Sequence, residues 1–158
     1  DKAALNIFWV DPETGMFTYA NEAACSSMGY TREELLGMHV IQIDTGFSEE
    51  KFPGLMEALK AQSHVQTEGT HRTKDGRLLN VSLSIVLTEL QDRRIIAVFA
   101  RDITDKLKAE KELKQKLEEL EEFNALVVGR EEKMIALKEE INDLLVKLGR
   151  EEKYEIVH

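Results

Sequence analysis

The chain has 158 residues, a net charge of −9, two prolines, nine glycines and one cysteine. That length holds one domain of ordinary size and an appendage. An acidic chain without a basic block does not suit nucleic acid or an anionic membrane surface. The longest apolar run, Ile95 to Ala100, is far shorter than a membrane span, and no signal-peptide pattern opens the chain. A single Cys allows neither an internal disulfide nor a Cys-based zinc site, which fits a reducing cytoplasm. The chain begins at Asp1 rather than Met, so it reads as an excised fragment, with His158 as a tag remnant.

Leu5–Val10 and Met16–Tyr19 are short β-rich runs joined by Asp11-Pro12-Glu13-Thr14-Gly15, a turn sequence, and together predict a hairpin. Asn21 offers an N-cap to a short helix over Glu22–Met28 that Gly29 closes. Thr31 and Glu34 have capping-box spacing and start a second helix, ending at Gly37. Ser48 is expected to cap a longer helix running to about Gln62, with Phe52, Leu55, Met56 and Leu59 on one face and Pro53 in its first turns. Val65–Thr73 and Leu78–Thr88 flank Lys74-Asp75-Gly76-Arg77, a strong hairpin signal, and a second turn leads into Arg93–Arg101. Along the middle strand Leu79, Val81, Leu83, Ile85 and Leu87 alternate with a largely polar set, giving one buried face. Two strands, a helical crossover and three more strands predict an α+β fold with a five-stranded antiparallel sheet.

Composition changes near Thr104. Residues 1–104 carry 10 basic and 15 acidic side chains and both prolines, whereas the 54 residues from 105 onward carry 11 and 15. Glu, Lys and Leu dominate that second part, as in a long solvated helix or coiled coil. The expected division is a compact domain at 1–104, a coiled-coil helix at 105–128, a second helical segment at 129–149 and a flexible tail at 150–158. Leu113, Leu117, Leu120, Asn124 and Val127 are spaced as a heptad seam, with Asn124 at an a position that favours a parallel two-stranded state. Met134, Leu137, Ile141, Leu144 and Leu148 continue it in a shifted frame, and the slip falls at Val128-Gly129-Arg130. One helix that rotates its face there, or two helices, would both satisfy the pattern, with Gly149 ending the second segment. The expected partner is a second copy of the chain; a single amphipathic helix folded back on the domain is the alternative.

Three stretches resemble one family. Tyr19-Ala20-Asn21-Glu22-Ala23-Ala24 followed by Met28-Gly29-Tyr30-Thr31-Arg32-Glu33-Glu34-Leu35-Leu36-Gly37 is similar to the first half of a PAS sensory domain. His71-Arg72-Thr73-Lys74-Asp75-Gly76-Arg77 resembles its central hairpin, and Arg101-Asp102-Ile103-Thr104-Asp105 the motif that closes its last strand and opens a signalling helix. The resemblance implies a bacterial signalling protein, of two-component kinase or diguanylate cyclase type, whose output domain lies outside this fragment. It also implies that Asp102 and Thr104 form a signal joint, with Thr104 or Asp105 as N-cap of the following helix.

Candidate chemistry is sparse. No phosphate loop, His-Glu-x-x-His pattern or nucleophile elbow is present, and residues 105–148 contain no phosphoacceptor His, so the fragment is read as non-enzymatic, with no metal site. Flavin-adduct members of the family carry their Cys just past the region of Gly37; here Met38–Asp44 has none, and Cys25 reads as a small buried hydrophobe. Haem ligation would fall to His64, which otherwise reads as a surface His at a helix end, and His39 reads as a structural loop residue. Period-two alternation places Thr67, Gly69 and His71 on one face. Together with Met56 they would line a small-ligand cavity; the reading favoured on packing grounds is that Gly69 marks a bulge and His71 caps a collapsed core with no cofactor. The function expected is a PAS sensor and dimerisation module, with a flavin- or haem-binding photoreceptor or redox sensor as the alternative.

Overall fold

The computed structural model describes residues 4–157, so Asp1 and His158, read above as a cut end and a tag remnant, lie outside the described residues. The chain divides into two compact units that meet between Leu107 and Lys108.

In the first unit, strand β1 (Leu5–Val10) turns Phe8 and Val10 inward and pairs antiparallel with β2 (Phe17–Ala20). The turn between them is held by Asp11, whose Oδ1 accepts the Glu13 N–H at 2.8 Å. It needs Gly15, which has φ +69° and on which a Cβ would collide with the His39 ring. Asn21 then serves two elements. Its Oδ1 accepts the Ala24 N–H at 2.9 Å, capping helix α1 (Glu22–Met28), and the Ile7 N–H of β1 at 3.0 Å. Helix α2 (Arg32–Leu36) opens with the complete Thr31/Glu34 capping box. The free oxygen of Glu34 accepts Lys74 Nζ at 2.7 Å, tying α2 to the later hairpin turn.

The long crossover helix departs from expectation at its start. Ser48 makes no side-chain capping bond. A 3₁₀ turn at Glu49–Lys51 comes first, and α3 runs Phe52–Gln62 with Pro at its opening positions, because Pro53 supplies helical φ without needing a partner for an N–H. Strands β3 (His64–Arg72), β4 (Leu78–Leu90) and β5 (Arg93–Asp102) follow as an antiparallel meander, and the sheet order is β2-β1-β5-β4-β3. The β4–β5 connection puts Gln91 and Asp92 at φ +50° and +61°, the left-handed pair of a two-residue hairpin turn. One sheet face carries Phe8, Val81, Leu83, Ile85 and Ile96 into the core, and Ala24, Met28, Leu35, Ile43 and Leu59 of the crossover cover it. This is the α+β fold with a five-stranded antiparallel sheet that the alternation of elements predicts.

Helix α4 spans Thr104–Lys147 as one continuous element of 44 residues, with Gly129 inside it. A single Gly costs about 1 kcal/mol of helix stability, too little to break a run of Leu, Glu and Lys on both sides. The end is a Schellman arrangement: Gly149 at φ +73° donates to the Val146 carbonyl, and the Arg150 N–H donates to that of Leu145. Residues 150–157, expected as a flexible tail, return along the helix. Asn142, only 5 % exposed, is the reason. Its Oδ1 accepts the N–H groups of Lys153 and Tyr154 at 3.1 and 3.0 Å, and its Nδ2 donates to the Tyr154 carbonyl at 2.7 Å.

Candidate functional site

Between the inner sheet face and the crossover lies a cavity of about 300 Å³. Its sheet wall comes from Phe8, Val10 and Phe17 and from Leu83, Ile85, Ile96 and Val98; Val40, Ile43, Phe47, Phe52 and Leu55 form the facing wall. The polar groups gather at one corner, where Asp44, Lys51, Thr67, Glu68 and His71 line it.

Thr67, Gly69 and His71 thus share the cavity face, as their alternation requires. Met56 does not line it; Phe52 and Leu55 take that place. Leu59, 1 % exposed, fixes how α3 is turned. Phe52 lies about 20° from it around the helix on one side and Leu55 about 40° on the other, while Met56 sits about 60° round, beyond Phe52. The bulge expected at Gly69 is absent, since β3 and β4 pair without a register shift from His64↔Val86 to Arg72↔Leu78, Gly69 standing opposite Val81. The collapsed core is absent too. Gly69 itself adds no open space: a Cβ there would meet Leu83 Cδ1 at 3.2 Å and the Asp44 carboxylate at 3.5 Å, so the glycine lets these two pack against the strand.

Asp44 is the residue that sequence reasoning missed. It pairs with His71 across an isolated antiparallel bridge, flanked by bonds from Thr45 N to the Thr70 carbonyl at 2.9 Å and from Arg72 N to the Ile43 carbonyl at 2.8 Å. That pattern makes Asp44 and His71 a non-hydrogen-bonded pair, the geometry in which opposed side chains stand closest on one face. His71 is 5 % exposed, meets the Phe8 ring edge-on, and its Nδ1 is buried without a hydrogen-bond partner. Burial pushes its pKa below the ordinary imidazole value, and the nearby Asp44 charge works against that shift. The ring is therefore neutral at pH 7. Asp44 Oδ1 accepts the Gly46 N–H at 2.9 Å, and Lys51 Nζ donates to the Gly46 carbonyl at 2.6 Å.

The other candidates fall elsewhere. Exposed His64 bonds Ser84 Oγ through Nε2 at 2.8 Å, outside the cavity wall. The Nδ1 of His39 accepts the Ile41 N–H at 3.3 Å, capping a 3₁₀ turn. Cys25 packs half-buried against the core from α1, outside the cavity wall. Among the described residues, no group of three or more His, Cys, Asp or Glu could hold a metal ion. No described helix is long and apolar enough to cross a membrane.

At the end of β5, Asp102 Oδ1 accepts the Thr104 N–H at 2.9 Å, which caps the start of α4. Thr104 is not a side-chain cap, contrary to expectation. Its hydroxyl reaches sideways and accepts the Asn80 N–H of β4 at 3.0 Å, while the Asn80 carbonyl accepts Ile103 N–H at 2.8 Å. The joint is thus fastened to β4 as well as to β5. Along α4, Leu113, Leu117, Leu120, Asn124 and Val127 are all exposed in the single chain, Leu113 by 61 %.

A family model described as a PAS domain matches residues 5–105. No curated protein matches the chain. Among solved structures, the chain is similar to a domain of the sensory box sensor histidine kinase/response regulator from Geobacter sulfurreducens, with 31 % identity, TM-score 0.52, and 62 % of this chain and 82 % of that one covered. A PAS domain from a two-component sensor histidine kinase gives 28 % identity and TM-score 0.53 over 62 % and 84 %. The PAS domain of an HTR-like protein from Haloarcula marismortui gives 22 % identity and TM-score 0.59 over 63 % and 81 %, a likeness of fold. With its sheet order, crossover cavity and strand-to-helix joint in place, the chain belongs to the PAS domain family.

Proposed function

We propose that this PAS domain is the sensory part of a signalling protein and responds to a small molecule held in the cavity between sheet and crossover. Modules of this family are generally sensory and non-catalytic. The observation that carries the proposal is the cavity itself: about 300 Å³, apolar on most sides, with Asp44, Lys51 and His71 at its polar corner. Pockets of this kind, apolar with a few convergent polar groups and open at one side, are where small ligands bind.

The change would leave through β4 and β5, whose ends hold Asp102 and Thr104, into α4. There the Leu113, Leu117, Leu120, Asn124 and Val127 seam pairs with the same seam of a second copy as a parallel coiled coil. An output domain of kinase or cyclase type would lie beyond the fragment. Two measurements on the full chain test this. A ligand of the folded state raises the melting temperature in proportion to its saturation, so a metabolite panel should contain stabilisers; a panel with none overturns the sensory reading. Sedimentation should show a dimer that Leu117→Asp with Leu120→Asp converts to monomer, and an unchanged dimer overturns the seam. An absorption spectrum without visible bands is expected, and a flavin or haem band would replace the small-molecule reading with a cofactor.

A further inference from the structure

Helix α4 carries more apolar surface than its first seam uses. In the heptad that puts Asn124 at a, every d position from Leu113 to Leu148 is apolar and exposed: Leu113, Leu120, Val127, Met134, Ile141 and Leu148. The d line is unbroken, so the slip at Val128-Gly129-Arg130 concerns only what stands beside it. On the a side, Leu117 and Asn124 are followed by Glu131 and Lys138, two charges that are costly in a coiled-coil core. On the g side Lys116 comes first, then Phe123 and Arg130, and Leu137 and Leu144 follow, both exposed.

The chain's own tail covers the a side of the second half. Ile135, Lys138, Asn142 and Leu145 hold e and a positions there, and they are the ones not fully exposed. Asn142 bonds the backbone of Lys153 and Tyr154, and Lys138 Nζ stands 6.0 Å from the Tyr154 ring centroid. The tail thus takes e and a, while d and g are left bare.

A second copy of the chain fits that bare stripe. The stripe continues the Leu113 to Val127 seam along the d line, so a partner on the first half reaches it without leaving the helix. An apolar heptad line sustained over this length is the mark of a coiled coil. Charge agrees with a parallel partner. There a g residue faces the e residue of the partner's next heptad, which sets Lys116, 3.4 Å from Glu119 in the single chain, toward Glu121 of the partner subunit.

We propose that the interface with a second copy changes face within α4. Leu117 and Asn124 flank the d line in the first half, Leu137 and Leu144 flank it in the second, and each chain's tail occupies the side that the partner leaves. The contact turns by about 50° around the helix, one seventh of the heptad wheel. A heptad slip would set one chain's turned stretch against its partner's unturned one, so the change of face also fixes register. This rests on the coiled-coil reading given above and extends it to the stripe beyond Gly129.

The test is disulfide cross-linking of the full chain with Cys25→Ala and one added cysteine at a time: Leu117→Cys, Leu120→Cys, Lys138→Cys, Ile141→Cys, Leu144→Cys or Leu145→Cys. Cα atoms more than about 7 Å apart are not bridged without backbone movement. Under mild oxidation the Leu117, Leu120, Ile141 and Leu144 variants should therefore form covalent dimers at least about tenfold faster than the Lys138 and Leu145 variants. Linkage at Lys138 or Leu145 as fast as at Leu144 overturns the change of face. Linkage at Leu117 and Leu120 with none at Ile141 or Leu144 ends the interface before Gly129 and also overturns it, with the first seam standing. Linkage at no position overturns the coiled-coil reading itself.

Discussion

The two units of this chain handle their apolar side chains in opposite ways. In the first, Phe8, Met28, Leu35, Ile43 and Leu59 are at most 1 % exposed, and sheet and crossover satisfy one another. In the second, Leu113, Phe123 and Leu126 of α4 are 61 %, 62 % and 74 % exposed. A folded sheet domain is held by burial within the chain. A long helix with exposed leucines is held by propensity and local pairs, and gains its tertiary stability only from what covers its face. The first unit therefore has a stability of its own, and on the seam proposed above the second would have one that depends on association.

The sharpest way to break that contrast is to make one truncation in each unit. Phe8→Ala should lower the unfolding free energy by about 3–5 kcal/mol, from lost burial and a residual cavity. Trp9, the only Trp, lies in β1 beside Tyr19 and reports this transition by fluorescence in a urea titration. Leu117→Ala should leave the same transition within about 0.5 kcal/mol, as an exposed substitution does, while weakening the dimer. A comparable loss from both would mean that the helix face is covered by its own chain.

How much of this was legible follows from how local each feature is. The Thr31/Glu34 box, the Asn21 cap and the turn glycines depend on neighbours three or four residues away, and each is found where its pattern lies. The cavity face of β3 follows from period-two alternation. Which side chains of α3 reach the cavity does not, because Phe52, Leu55, Met56 and Leu59 share a stripe and only sheet packing selects the turn of the helix. Asp44 was invisible for a similar reason: its role comes from a bridge to His71, 27 positions away, in a stretch without periodicity. Asn142 reads as an ordinary polar helix position. The one trace of its role is the alternation at the chain's end, where Tyr154 and Ile156 are the partly covered residues.

Below the core truncation in size comes a pH effect confined to the first unit. Burial holds the pKa of His71 below 6.5 in the folded state, so the unfolded chain binds that proton more tightly. Stability from the neutral buried ring is complete above the unfolded pKa and is lost as pH falls through it toward the folded value. Urea midpoints taken from about pH 7.5 down to about pH 5 should fall more steeply for the native chain than for His71→Leu. Parallel slopes would show that the ring titrates as it does in water.

Thr104→Val is a smaller perturbation. It removes the acceptor for an exposed Asn80 N–H that water can replace, so the Trp9 transition should shift by about 1 kcal/mol or less. In a full-length parent, the same variant should change output more than it changes melting, because it loosens the joint from β4 without touching the core. Equal proportional loss of both would reduce the joint to a stability feature.

The smallest effect lies wholly within the second unit and asks whether any part of that helix is satisfied by its own chain. Ile135, Lys138, Asn142 and Leu145 are the residues of the last turns of α4 that are not fully exposed, and their three- and four-residue spacing makes them one strip. The returning segment lies on it: Tyr154 and Ile156 alternate as an extended chain would, and Lys138 Nζ stands 6.0 Å from the Tyr154 ring centroid. The strip is one residue, about 100°, around the helix from Met134, Leu137, Ile141 and Leu144. Asn142→Ala removes all three bonds to the segment and replaces Asn by a better helix former. Amide exchange at Lys153 and Tyr154 should therefore accelerate, with helical ellipticity, the Trp9 transition and the dimer constant unchanged. Unaltered exchange would mean that Tyr154 and Ile156 hold the segment without the amide. A changed dimer constant would show that the returning segment bears on the seam as well as on its own strip, and the second unit would then share its apolar surface between its own tail and a partner.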